Sequence, residues 1–159
     1  MLVRPATFAD IPDLCAWNAA MAWETERKRL DPACLHRGVA GVFEQSGRGL
    51  YLVAEHAGQS AGCLMLTYEW SDWRGGAFWW IQSVYVAPTA RRQGVFRALY
   101  EAARQRAVEA GAIGLRLYVE TENDAAQATY AGLGMQRCHY AMYETEFGPE
   151  PPTATPDPC

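Results

Sequence analysis

The chain has 159 residues, half of them hydrophobic and 20% charged. That is one domain's worth of ordinary globular composition and excludes a disordered chain. Fourteen basic residues against eighteen acidic ones leave a formal charge of −4, which argues against the basic face that nucleic-acid binding requires. No apolar run approaches the roughly 20 residues of a membrane span, and Met1–Pro5 lacks the layout of a secretion signal.

The five cysteines (Cys15, Cys34, Cys63, Cys138 and Cys159) include no CxxC pair, so neither a zinc ribbon nor a redox motif is written here. Free thiols in a reducing cytoplasm are the expectation, with no metal site. Leu2–Pro5 is short and β-compatible. Thr7 or Asp10 then caps a helix in which Pro12 sits in the first turn and Ile11, Leu14, Cys15, Trp17 and Met21 are spaced helically. A second helix is expected from about Pro32, with Leu35, Val39, Val42 and Phe43 on one side. Between them lies Trp23–Arg29, acidic then basic, which reads either as a solvated helix end or as a flap over a substrate site.

From Leu50 the period changes to that of strands. Leu50–His56, Ala61–Glu69 and Ala77–Val86 read as three strands joined by turns at Ala57–Ser60 and Asp72–Gly76, an antiparallel meander. Pro88 ends it, because proline cannot donate to a ladder. Phe96, Leu99, Ala103, Ala107 and Ala110 then mark a helix stopped by Gly111. Ile113–Val119 alternates as a strand, Asn123 or Asp124 caps a short helix through about Ala131, and Arg137–Phe147 alternates as a last strand. The Pro- and Thr-rich residues 148–159 are expected to be a disordered tail. Antiparallel strands first and strand–helix–strand later make an α+β fold, with Ala77–Val86 and Ile113–Val119 side by side in parallel.

The chemically informative stretch runs from Val84 to Leu99. A strand ends at Val86, a basic loop (Arg91-Arg92-Gln93) turns at Gly94, and a helix begins at once with Val95, Phe96 and Arg97. The first turn of a helix offers N–H groups that have no acceptor inside the helix, together with a partial positive charge. Gly94 lets a ligand approach the main chain, and Arg91, Arg92 and Arg97 add full charges around the same point. That is a seat for a phosphate or pyrophosphate; alternatively the arginines are a solvated loop and Gly94 only eases the helix entry. Neither GxxxxGK[ST] nor GxGxxG occurs.

Here the chain resembles the GNAT family of N-acetyltransferases. The family's cofactor loop, [RQ]-x-x-G-x-[GA], is matched by Arg91-Arg92-Gln93-Gly94-Val95-Phe96 in its leading Arg, its Gly, the strand before and the helix after, with Phe96 standing where the family has Gly or Ala. Asn123-Asp124-Ala125-Ala126-Gln127-Ala128-Thr129-Tyr130-Ala131-Gly132-Leu133-Gly134-Met135 looks like the family's N-x-x-A-x-x-x-Y-x-x-x-G-F, with Met135 in place of the aromatic. The likeness extends over Leu2–Phe147 and is specific over Val84–Met135.

The resemblance implies a single domain over residues 1–147, with a mixed, mostly antiparallel central sheet flanked by helices, the acyl-CoA N-acyltransferase fold. It implies acetyl-CoA as cosubstrate and direct attack by an amine within a ternary complex. The amides of Gln93, Gly94, Val95, Phe96 and Arg97 would bind the pyrophosphate, with Arg91, Arg92 and Asn123 in the same cofactor set. The backbone of Val84 and Val86 would pair with the pantetheine arm, and Tyr130, also against the cofactor, would protonate the leaving thiolate. The general base is open: relatives often carry an acid on the strand of Val84, where this chain has Gln82 and Ser83, which leaves Glu24, Glu69, Glu120 and Glu122. Acidic residues beside Trp70, Trp73, Trp79 and Trp80 suit a small cationic amine as acceptor, with no nucleic acid or membrane as partner. Many relatives are dimers, and Arg137–Phe147 would be the edge on which a homodimer pairs. The competing readings are a CoA-binding sensor or scaffold module of the same fold without catalysis, and an unrelated phosphate-binding α+β domain.

Overall fold

The computed structural model describes residues 1–145 and 147. The chain separates into two compact units, Met1–Asn123 and Asp124–Cys159. The first holds a five-stranded sheet in the order β1 (Leu2–Pro5), β2 (Leu50–His56), β3 (Gln59–Ser71), β4 (Gly76–Val86) and β5 (Gly114–Arg116). β1 to β4 pair antiparallel in sequence, and β5 lies parallel to β4. This is the mixed, mostly antiparallel α+β sheet expected from the pattern of elements.

Alternation along the strands sorts the core into two faces. Tyr51, Val53, Cys63 and Tyr85 pack with Ile11 and Leu14 of α1 (Ile11–Glu26) and Val39 and Val42 of α2 (Pro32–Glu44). The alternate residues Leu52, Leu64, Leu66 and Ile81 are fully buried on the other face, which α3 (Val95–Glu109) covers with Val95, Leu99 and Ala103. Gly62 makes this closure possible. A Cβ there would lie 2.5 Å from the Tyr85 carbonyl oxygen and 3.3 Å from Val95 Cγ1.

The entry to α1 is held by charge. Arg4 donates to both oxygens of the buried Asp10 at 2.9 Å, and Asp10 also accepts from the Thr7 amide. Arg4 is the largest of the influences that bring the Asp10 carboxyl down to about 2. Pro12 stands in the first turn as expected, and Asp31 caps α2 by accepting from Cys34 N–H at 2.7 Å. Gly111, at φ 72°, follows the end of α3 in the left-handed conformation that an L side chain avoids.

Two expectations are corrected. The strand after α3 is only Gly114–Arg116 rather than Ile113–Val119. The charged segment Trp23–Arg29 takes the first of its two readings, an exposed helix end: Trp23–Glu26 close α1, which Arg27 caps in the left-handed conformation. In the second unit, α4 (Asp124–Gly132) matches the sequence reading, but the described residues of Arg137–Phe147 form no strand. Tyr140, Met142, Tyr143 and Phe147 are all exposed there. Period-2 alternation states only that one face can be buried; it becomes a strand when a sheet edge accepts its main-chain groups. The expected disordered tail, 148–159, lies outside the described residues.

Candidate active site

The cofactor side of the site begins with an irregularity in β4. Leu64 lies opposite Val84 and Leu66 opposite Ile81, so Gln82 and Ser83 together face the single residue Met65. This is a β-bulge, which bends and twists the strand that carries it. Beyond it, Ala87 N–H donates to Ala61 at 2.9 Å. Ala87/Ala61 and Tyr85/Cys63 are therefore hydrogen-bonded pairs, and Val84/Leu64 and Val86/Gly62 are the alternate, non-bonded kind. The N–H and C=O of Val84 and Val86 consequently point away from β3, toward the side on which β5 lies. The β5 ladder, however, accompanies β4 only from Phe78 to Trp80. Val84 and Val86 thus line a stretch of sheet edge that no described strand occupies, and the Val86 carbonyl there takes a hydrogen bond from Arg91 Nε at 3.0 Å.

The loop that follows is short and wound against the usual hand. Pro88–Ala90 forms a 3₁₀ turn, Arg92 has φ 64° and Gly94 has φ 80° before Val95 starts α3. Two left-handed residues within three positions curl successive amides into a concave nest, the backbone arrangement that seats anions. Left-handed geometry at a non-glycine such as Arg92 costs about 1–2 kcal/mol, a strain that points to use. A Cβ built on Gly94 meets nothing within 4 Å, so space in front of the nest is open. Val95 anchors the helix start from behind, 2% exposed. Phe96, at the position where the family has a small residue, is half-buried with its ring 6.4 Å from that of Tyr100, one turn along α3. Its bulk therefore leaves the Gly94 space clear. Arg92, Gln93 and Arg97 are exposed, and Gln93 reaches back to the Thr89 carbonyl at 2.9 Å.

Arg91 behaves differently from its neighbours. Its guanidinium donates to Glu24 Oε2 at 2.6 Å, and Tyr85 Oη donates to Glu24 Oε1 at 3.0 Å. The leading charge of the loop is thus paired, and the residue that pairs it is one of the four candidate bases. The Arg91 bond, aided by the Tyr85 hydroxyl and opposed by burial, lowers the Glu24 pKa. Glu69 is similarly occupied. Trp80 Nε1 donates to its Oε2 and Arg116 to its Oε1 at 2.8 Å, which also depresses its pKa. Arg116 lies over the Phe78 ring at 3.6 Å, and Trp80 faces Tyr118 at 6.4 Å between centroids. Glu120 and Glu122 are exposed. Neither carboxylate on the sheet or α1 is thus poised to take a proton from an amine.

At the end of α1, Arg27 and Arg29 lie 5.7 and 5.3 Å from the Trp23 ring centre, and Ala19, Trp23, Lys28, Arg29 and Leu30 line a hollow of about 360 Å³. Its lining is basic, which does not favour a cation. Trp70, near the end of β3, and Trp73, in the β3–β4 turn, are exposed, while Trp79 and Trp80 on β4 are partly buried. Among the described residues no group of three His, Cys, Asp or Glu side chains is arranged to hold a metal.

Asn123 ends the first unit, its amide donating to the Glu120 carbonyl at 3.0 Å. In the second unit Tyr130 sits in the last turn of α4, half-buried, and burial raises its pKa above the usual 10. Sequence reasoning assigned no role to Tyr85 or Gly62, although Tyr85 lies inside the quoted motif. Their neighbours in space, Glu24 and Val95, are far away along the chain and leave no local signal.

Residues 14–135 match the model of the GNAT acetyltransferase family. Over 120 residues, 74% of the chain, the sequence is 33% identical to a mycothiol acetyltransferase of Corynebacterium aurimucosum, and the match spans 40% of that protein's length. A solved structure of a possible acetyltransferase from Clostridium difficile superposes with a TM-score of 0.86 at 41% identity, covering 92% of this chain and 97% of that one. A probable acetyltransferase of known structure superposes at 0.82 with 22% identity, over 94% and 100% of the two chains. With the strand–loop–helix seat and the order of its elements, these matches establish that the chain belongs to the GNAT family of N-acetyltransferases.

Proposed function

We propose that this chain transfers the acetyl group of acetyl-CoA to a primary amine of a small molecule, by direct attack while both substrates are bound. The observation that carries the reading is the meeting of an open strand edge and an amide nest: Val84 and Val86 turn main-chain groups outward immediately before the loop at Gly94. An extended amide-bearing arm such as pantetheine adds to such an edge like a strand. The amides from Gln93 to Arg97, with Arg92 and Arg97, receive the diphosphate at the other end. Asn123 completes the cofactor set by its place in the second motif. An outward N–H on β4 beside the thioester carbonyl would stabilise the developing oxyanion, a contribution of about 3 kcal/mol.

Tyr130 is the acid that protonates the departing thiolate. Its raised pKa keeps the hydroxyl protonated at neutral pH, the state an acid requires. With Glu24 and Glu69 both ion-paired, the amine's proton leaves to water or to an exposed carboxylate, with Glu120 and Glu122 the remaining candidates. The same pairing is the one observation favouring the competing reading, a CoA-binding module without turnover. A small acceptor agrees with the name of the corynebacterial relative.

The test is release of free thiol from acetyl-CoA over a panel of small amines, peptide lysines and protein N-termini. Turnover on small amines supports the reading, and turnover only on peptides rejects the small acceptor. Binding of CoA without turnover on any amine establishes the module instead. No homodimer is proposed, since the described residues of the segment expected to pair form no strand.

A further inference from the structure

Three parts of the first unit meet at one guanidinium. Arg91 opens the cofactor loop, Glu24 stands in the last turn of α1, and Tyr85 and Val86 end β4. Arg91 uses its Nε on the Val86 carbonyl at 3.0 Å and an Nη on Glu24 at 2.6 Å, while its Cζ lies 5.6 Å from the centre of the Tyr85 ring. Glu24 in turn uses its second oxygen for the Tyr85 hydroxyl at 3.0 Å. Each of these groups holds another: the ring bears the guanidinium, the hydroxyl orients the carboxylate, and the carboxylate fixes the direction of the arginine.

We propose that Glu24 is a positioning residue for the cofactor loop, latching Arg91 onto the end of β4 so that the Arg92–Gly94 nest is preformed and Arg91 itself serves as a strut, not as a phosphate ligand. This inference rests on the acetyl-CoA reading and adds to it a residue from α1, remote from both sequence motifs. The latch acts before the ligand arrives. A loop held in its bound shape loses less freedom on binding, so the effect belongs to cofactor affinity rather than to the chemical step. Its size is limited because Glu24 and Arg91 are both partly exposed, with side chains 39% and 44% accessible. Exposed pairs couple weakly, and a change of about threefold to fivefold is expected.

The experiment is a double-mutant cycle of Glu24→Gln and Arg91→Gln, read as KM for acetyl-CoA, kcat, the pH profile of kcat, and CoA affinity by calorimetry. Each single variant is expected to raise KM and Kd about threefold to fivefold, with kcat within about twofold and an unshifted pH profile. The double variant should be no worse than either single one, because both remove the same interaction. If Arg91→Gln still weakens CoA binding in the Glu24→Gln background, Arg91 touches the phosphates and the strut role is overturned. If Glu24→Gln abolishes kcat and removes a limb of the pH profile while KM holds, Glu24 is the base and the latch is wrong. Unchanged affinities in both variants also overturn the latch. Failure of the unaltered protein to bind CoA at all would instead sink the acetyl-CoA reading.

Discussion

Gly94 is where the proposed function is most exposed to refutation, and Gly94→Ala separates its two consequences. The residue sits at φ 80°, ψ 8°, in the left-handed region. An alanine there costs about 1–2 kcal/mol of stability through its Cβ and the adjoining backbone. No steric term adds to this in the free protein, because a Cβ built on Gly94 has no atom within 4 Å. For a chain of this size the loss corresponds to a fall in Tm of about 2–8 °C. The same methyl group projects into the space that the diphosphate would occupy, so CoA affinity should fall more than about tenfold, or about 1.4 kcal/mol. The control is Gly58→Ala in the β2–β3 turn. Gly58 has φ 77° and equally open surroundings, but belongs to no proposed site. Both variants are followed by thermal unfolding and by calorimetric titration with CoA. Equal losses of stability with a loss of CoA binding only in the Gly94 variant fit the argument. CoA affinity that is the same in both variants refutes it, whatever happens to Tm.

Two further predictions concern protons. Tyr130→Phe should lower kcat by about 100-fold or more, the range of a lost general acid, while CoA affinity by calorimetry changes less than about twofold. A kcat within threefold of the parent would remove Tyr130 from the chemistry. Asp10, held to about 2 by Arg4 against an ordinary 3.8, stabilises the fold only while it is ionised. That contribution is complete above about pH 4 and disappears as pH falls through 2, a loss of about 2 kcal/mol. Urea unfolding of the parent should therefore weaken over this interval by more than that of Asp10→Asn, and parallel curves would contradict the assignment.

The cofactor half of the site was legible because it is made of main chain. Where a strand stops, where a glycine turns and where a helix starts are all written locally, so Val86, Gly94 and Val95 could be placed from periodicity and turn chemistry. The acceptor half rests on side chains that meet across long separations. Nothing near Glu24 announces Arg91, 67 residues on, and nothing near Glu69 announces Arg116, 47 residues on. Both carboxylates therefore read as candidate bases until their partners were seen. The Trp70–Trp80 run is no easier to place, because adjacent aromatics along a strand point to opposite faces, and Trp70 and Trp73 are exposed. The segment Arg137–Phe147 shows the opposite failure, a local alternation whose described residues form no strand.

One inserted residue decides how β4 serves the site. Up to Ile81, alternation puts Trp80 on the α1 face with Thr67 and Ile81 on the α3 face with Leu66. Without the bulge, Val84 and Val86 would fall on the α1 face and turn their main-chain groups to β3, while Tyr85 would point into α3. The extra residue at Gln82–Ser83 reverses that parity, which places Tyr85 within reach of Glu24 and turns Val84 and Val86 toward the open edge. Deleting Ser83 leaves Val84 opposite Leu64 and keeps every hydrophobic contact beyond it, but straightens the strand beside β5. The variant should retain the far-UV circular dichroism of the parent and bind CoA at least tenfold more weakly, a cost of about 1.4 kcal/mol. A folded deletion variant with parental CoA affinity would show that the bend at the bulge is incidental to cofactor binding, since Val84 and Val86 still turn to the open edge in it.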